Sequence, residues 1–192
     1  MSLPFSLHLL TPWLAPEPFF GLDDLPVATR FRALVSSTDS LTRRLEVLTA
    51  APSRVRLESQ ERLAVDTVDA LLWGAGYAVP DGQEGLLSRN AWLTLGDRDL
   101  VFAHSRLALS GMPPAIRRAI EQGEEPLGTL FLAQDEPVER LDLHLALGHS
   151  PSLARRVGLE EAHRFLVRRS LFLVAGVVYG RILELFLMDL SR

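Results

Sequence analysis

Near its C-terminal end the chain carries two apolar runs, Arg168–Val174 and Val177–Leu187, separated only by Ala175-Gly176. Two residues cannot carry a crossover, so strands joined this way are antiparallel neighbours. A second hairpin is predicted upstream, where Arg89–Leu95 and Leu100–Ala108 flank the turn Gly96-Asp97-Arg98-Asp99. Strands that follow one another without regular βα alternation predict an α+β fold: a single antiparallel sheet flanked by helices.

The remaining segments fill in around that sheet. Residues 1–22 read as a Pro- and aromatic-rich N-terminal arm packed over the domain. Leu25–Leu48 reads as one or two helices, with Asp39 or Ser40 as N-cap before Leu41-Thr42-Arg43-Arg44-Leu45. Arg54–Glu58 alternates as a short strand, and Ser59–Trp73 fits either a helix or a second strand. Gly74-Ala75-Gly76 and Pro80-Asp81-Gly82 signal loops. Ser110 can cap a helix that opens at Pro113-Pro114, runs through Ile116, Ile120 and Gln122, and is broken by Pro126-Leu127-Gly128. Val138–Leu147 reads as a strand and Leu153–Arg164 as a short helix. With 192 residues, 47% of them apolar, and no internal repeat, the expectation is one domain spanning 1–192.

Two charges stand in phase with apolar neighbours. In a strand, alternate residues share a face. Arg89 falls with Ala91, Leu93 and Leu95, and Glu184 with Ile182, Phe186 and Met188. Burying an unpaired ion costs several kcal/mol, so each needs a partner. One reading is a core ion pair, Arg89 with Glu184 or Glu184 with Arg168 or Arg169 across the hairpin. The other is a closed pocket for an anion, with Arg89 gripping a carboxylate and Glu184 meeting a hydroxyl.

Composition narrows the chemistry. The chain has no cysteine, which removes thiol nucleophiles, disulfides and thiolate metal sites. It has no lysine either: all 20 cations are arginine, so Schiff-base chemistry and a P-loop lysine are excluded. Anion recognition then falls to arginine forks, backbone N–H groups, histidine or hydroxyls. A net charge of −4 argues against nucleic-acid binding. His144 and His149 have no third ligand at a useful spacing, so no metal is expected. His104 and Ser105 point to opposite faces of a strand, and no Gly-x-Ser-x-Gly elbow is present. Arg117-Arg118 and Arg155-Arg156 read as solvated helix faces. Leu171–Leu190 contains Arg181, Glu184 and Asp189, which argues against membrane insertion, since a charge at a bilayer centre costs roughly 2.5–3.5 kcal/mol. Met1–Thr29 holds no Lys or Arg and four prolines, so no secretory signal is expected and the location is expected to be cytoplasmic.

Four stretches, in order, resemble the chorismate pyruvate-lyase family: Asp39-Ser40-Leu41-Thr42-Arg43-Arg44-Leu45; Arg89-Asn90-Ala91-Trp92-Leu93 with its return strand Phe102-Ala103-His104-Ser105; Pro126-Leu127-Gly128; and Arg168-Arg169-Ser170 followed by Leu183-Glu184-Leu185-Phe186-Leu187. The resemblance runs from about Leu25 to Leu187. It implies cofactor-free cleavage of chorismate to 4-hydroxybenzoate and pyruvate, feeding quinone (including ubiquinone) biosynthesis in many bacteria, with the small acid buried beneath flap-like segments. It implies that Arg89 contacts the ring carboxylate, that Glu184 stands near the 4-oxygen, and that backbone groups at Leu41 and Leu127 bind the substrate. On this reading burial raises the Glu184 pKa and lets it donate a proton to the departing ether oxygen. The chain departs from the family pattern at Asn90, where an acid is usual, and at His104, where an arginine is usual and Arg106 lies two positions on. An alternative on the same fold is a non-catalytic module that binds a small aromatic acid, as in the ligand-sensing domains of certain bacterial repressors, though no added helix-turn-helix is evident in the chain.

Overall fold

Turn length sets the strand pairing in the computed structural model, which describes residues 3–25, 27–63, 86–109, 112–123, 125–132, 138–174 and 177–190. β1 (His8–Leu9), β2 (Arg54–Leu63), β3 (Leu86–Leu95), β4 (Arg98–Ala108), β5 (Val138–His149), β6 (Arg164–Val174) and β7 (Val177–Phe186) build one antiparallel sheet in the order β1-β5-β6-β7-β4-β3-β2. The β3–β4 turn is tighter than the expected four residues. Arg98 and Asp99 already pair with Leu95 and Thr94, which leaves Gly96-Asp97 to turn the chain, with Gly96 at φ +57°. The Ala175-Gly176 turn between β6 and β7 lies outside the described residues.

Six helices accompany the sheet: α1 (Pro16–Phe20), α2 (Thr29–Val35), α3 (Leu41–Thr49), α4 (Pro114–Gln122), α5 (Leu127–Leu132) and α6 (Pro151–Arg156). The fold is therefore α+β, as expected. Ser40 is the N-cap of α3, its Oγ accepting from the Arg43 N–H. The arm does more than pack: β1 adds an edge strand to β5, and Leu14 bridges Leu145. Ser59–Leu63 continues β2 as strand. The rest of Ser59–Trp73, the two glycine- and proline-containing loops after it and the Ser110 cap lie outside the described residues.

Two helix boundaries differ from expectation. The helix expected over Leu153–Arg164 starts earlier, at Pro151 under a Ser150 cap, and stops at Arg156. Gly158 then turns the chain at φ +72°, and Arg164 already belongs to β6. α4 is ended by Gly123 in the left-handed conformation. Pro126-Leu127-Gly128 does not break it but leads into α5.

The sheet has two covered faces. On one, Phe31, Val35 and Leu45 pack with Val101, Leu147 and Phe186, while Ile116 and Ile120 of α4 pack with Leu107 and Phe172. On the reverse face Trp92, Phe102, Phe165 and Leu185 meet Leu3 and Leu7 of the arm and Leu153 of α6. Each such side chain contributes roughly 1.5–3 kcal/mol on burial. The first face has two apolar clusters rather than one, and the polar side chains of interest lie between them. Among the described residues no helix is long and apolar enough to cross a membrane.

Candidate functional site

The strand phase reads correctly at β3 and β7. Arg89, Ala91 and Leu93 share the helix-covered face with Ala103 and Ser105 of β4 and with Ile182 and Glu184 of β7. Together with Ser40, Leu41 and Thr42 from the start of α3, Pro126 and Leu127 at the start of α5, and Arg140 of β5, they wall a cavity. Its volume is about 50 Å³, and it is partly open to solvent. All four residues singled out by sequence, Leu41, Arg89, Leu127 and Glu184, line this one space.

The two readings of the buried charges turn out to be compatible. Glu184 forms a core ion pair, and it is also a wall of the cavity. Arg168, directly across the β6–β7 ladder and 0% exposed, donates from Nε to Glu184 Oε2 at 2.6 Å. Its Nη1 reaches the carbonyls of Val35 and Ser37, both at 3.4 Å, at the C-terminal end of α2, where a cation is favoured. Arg169 points to the reverse face, 4.6 Å from the Trp13 ring, and is not the partner. Nor is Arg89, which donates from Nη2 to the carbonyls of Gly123 and Glu125, at 3.2 and 3.1 Å. No carboxylate among the described residues neutralises it, and its buried Nε finds no hydrogen-bond partner among them. Burial lowers its guanidinium to about 10, still charged at neutral pH.

Burial alone would raise the Glu184 carboxyl, but the guanidiniums of Arg140 and Arg168, with the Arg168 hydrogen bond, outweigh it. The group is held below the ordinary carboxylate value. This corrects the expectation that burial would keep Glu184 protonated: it is an acceptor at neutral pH, not a resident proton donor.

Sequence reading missed Arg140. Period-two counting along Val138–Leu147 places it opposite Leu145 and Leu147. A bulge between Leu141 and His144 inserts one residue, with Asp142 at φ +50°, and resets the phase. Arg140 and Leu145 therefore face the same side. Arg140 is 6% exposed; its Nη1 donates to Ser170 Oγ at 3.1 Å and its Nη2 to Glu184 Oε1 at 3.4 Å. Burial lowers its pKa, Glu184 raises it and Arg168 lowers it further. A buried arginine at an uncertain register is the only signal the sequence carried for it.

The two departures from the family pattern are one coupled feature. Asn90 and His104 are directly paired across β3 and β4, and Asn90 Oδ1 lies 2.7 Å from His104 Nδ1. Asn90 Nδ2 also donates to Ser59 Oγ at 2.9 Å. Both residues lie on the reverse face, as does the buried Arg106, so the substitutions do not touch the cavity. Ser105 lines the cavity and His104 does not, which separates that pair as expected. Arg156 is exposed, as expected, and also donates to Glu58 at 2.7 Å beside Trp92. A larger groove, about 590 Å³, runs along the outer sides of α2 and α3 past Arg30, Arg43 and Arg44. It lacks the buried charges that line the site between β3, β5 and β7.

A family model described as chorismate pyruvate-lyase Rv2949c-like matches residues 35–192. No curated protein matches. Among solved structures, the ligand-binding domain of a GntR-family transcriptional regulator from Bordetella bronchiseptica aligns at 18% identity and TM-score 0.51, covering 72% of this chain and 86% of that one. The effector domain of PhnF from Mycobacterium smegmatis aligns at 14% identity and TM-score 0.54, covering 78% and 89%. At such identities these two show a shared fold.

Proposed function

The chain belongs to the Rv2949c-like chorismate pyruvate-lyase family, and on that premise we propose that it eliminates pyruvate from chorismate to give 4-hydroxybenzoate. The observation that supports this most is the one cavity into which Arg89, Glu184, Leu41 and Leu127 all converge. Arg89, with a buried Nε left over, takes the ring carboxylate as a charge-assisted fork. The first backbone N–H groups of α3, at Leu41 and Thr42, have no partner within the helix and add positive potential at the same wall. Backbone groups at Leu127 complete that end.

The elimination breaks the C4–H bond and the C3–O bond. The C4–H electron pair becomes the new ring double bond, the ether oxygen leaves with the enolpyruvyl group, and a proton ends on the methylene carbon, giving the methyl group of pyruvate. Aromatisation makes the step strongly downhill, so the protein's work is to hold the reactive conformer. Glu184, ionised, accepts the hydrogen bond of the 4-hydroxyl and so holds the ring in the conformer from which the C4–H and C3–O bonds break. The chain's own groups suffice for these roles, and no cofactor is invoked.

A second reading is a module that binds a small aromatic acid without turnover. The ionised state of Glu184 favours it, since a binding site needs no proton donor. Incubation with chorismate, following pyruvate and 4-hydroxybenzoate together, separates the two. One of each per chorismate consumed supports the lyase. Saturable binding of 4-hydroxybenzoate with no pyruvate supports the binding module.

A further inference from the structure

We propose that Arg140 is a second anion fork, which grips the side-chain carboxylate of an enolpyruvyl ether while Arg89 takes the ring carboxylate. The identity of the ligand rests on the lyase reading above; the two-fork geometry does not require turnover.

The argument begins with charge. Among the described residues, the cavity wall presents Arg89, Arg140 and Glu184, with Arg168 directly behind Glu184. Three guanidiniums against one carboxylate leave an excess of two positive charges among side chains that are at most 6% exposed. A monocarboxylate cancels one of them and a dicarboxylate cancels both. Buried charge without a counter-charge is costly, so the cavity selects for the dianion.

Position separates the two forks. In the sheet order, Arg89 on β3 and Arg140 on β5 are four strands apart, roughly 19 Å between backbones at the usual strand spacing. Their side chains enter the cavity from opposite sides, with Glu184 of β7 between them. One molecule with two carboxylates flanking a hydroxyl or ether oxygen matches that order.

Arg140 is held to Glu184 less tightly than Arg168 is. Glu184 is already held by Arg168 at 2.6 Å, and the Arg140 contact is looser, at 3.4 Å. The buried Nε of Arg140 finds no hydrogen-bond partner among the described residues. Its guanidinium is nevertheless oriented, by Ser170 Oγ on one side and by the Phe172 ring, 5.8 Å from Cζ. A pre-oriented cation with an open donor is what a carboxylate requires.

The test compares two inert aromatic ethers by calorimetry. One is 3-(1-carboxyvinyloxy)benzoate, with both carboxylates. The other is 3-(isopropenyloxy)benzoate, with a methyl group in place of the side-chain carboxylate. The wild type is expected to prefer the dicarboxylate by about 10- to 100-fold, the value of one charge-assisted hydrogen bond or fork. Arg140→Gln is expected to bring that ratio close to one while changing monocarboxylate affinity by no more than about twofold. Ser170→Ala, which only frees the guanidinium, is expected to lower the ratio part of the way, and it serves if Arg140→Gln does not fold. An undiminished ratio in either folded variant, or equal weakening of both ligands, overturns the proposal. A ratio that collapses in a protein releasing no pyruvate from chorismate keeps the fork and removes the lyase reading. Pyruvate release with an unmoved ratio does the reverse.

Discussion

Glu184 couples stability and chemistry in one side chain. Its carboxylate is 2% exposed and faces two guanidiniums. Glu184→Ala is expected to cost roughly 3–5 kcal/mol, because Arg168 is left buried without its counter-ion; urea denaturation measures this. The folded-state pKa lies below the ordinary value of 4.5, so the pair's stabilisation is present above that value and is lost as pH falls through the folded one. The stability gap between wild type and Glu184→Gln should therefore be full at pH 7 and shrink on acidification below about 4.5. A gap that widens instead would contradict the assignment. Arg89 is held by carbonyls rather than by an acid, so its removal strands no opposite charge. Arg89→Ala is expected to weaken 4-hydroxybenzoate binding by roughly 1.5–3 kcal/mol on calorimetry, with little loss of fold.

At the scale of the strand, phase decided what could be read from sequence. β3 and β7 run regularly through Arg89–Leu93 and Ile182–Phe186, so counting by two placed Arg89 and Glu184 correctly. The tight turns, likewise, made the antiparallel sheet legible. β5 does not run regularly, and one extra residue at Asp142 carries Arg140 to the other face. A bulge is set by tertiary demands, here in part by the Asp142 carboxylate accepting from Arg181 Nη2 at 2.5 Å on the reverse face. No local pattern announces it. The choice of Arg168 over Arg169 was open for a similar reason, since hairpin register depends on a turn that composition alone does not define. The β3–β4 pair carries a further expectation. Asn90→Ala removes the partner of His104 Nδ1 and should cost roughly 1–3 kcal/mol of stability. Because that pair lies on the reverse face, 4-hydroxybenzoate affinity should stay within about twofold of wild type. A large loss of affinity in a folded Asn90→Ala protein would show that the two faces are coupled.

The whole molecule sets two helix ends over the middle of a sheet and encloses positive charge inside a chain whose net charge is −4. An acid that settles there binds the folded state alone. Saturating 4-hydroxybenzoate, at about 100 times its dissociation constant, should add about 2.7 kcal/mol of stability. For a chain of this size that corresponds to a rise of roughly 5–10 °C in Tm, and Arg89→Ala should abolish most of it. The central claim is that an ionised Glu184 in this cavity drives an elimination. It is tested most directly by the pH profile of kcat/KM on chorismate for wild type and Glu184→Gln, with circular dichroism confirming the fold. The account predicts a wild-type rate that holds from neutral pH down to about 4.5, and a folded variant slower by roughly 10²-fold, the cost of lost positioning. A wild-type rate that climbs as pH falls through the carboxylate range, or a folded Glu184→Gln protein with near-normal turnover, would contradict it.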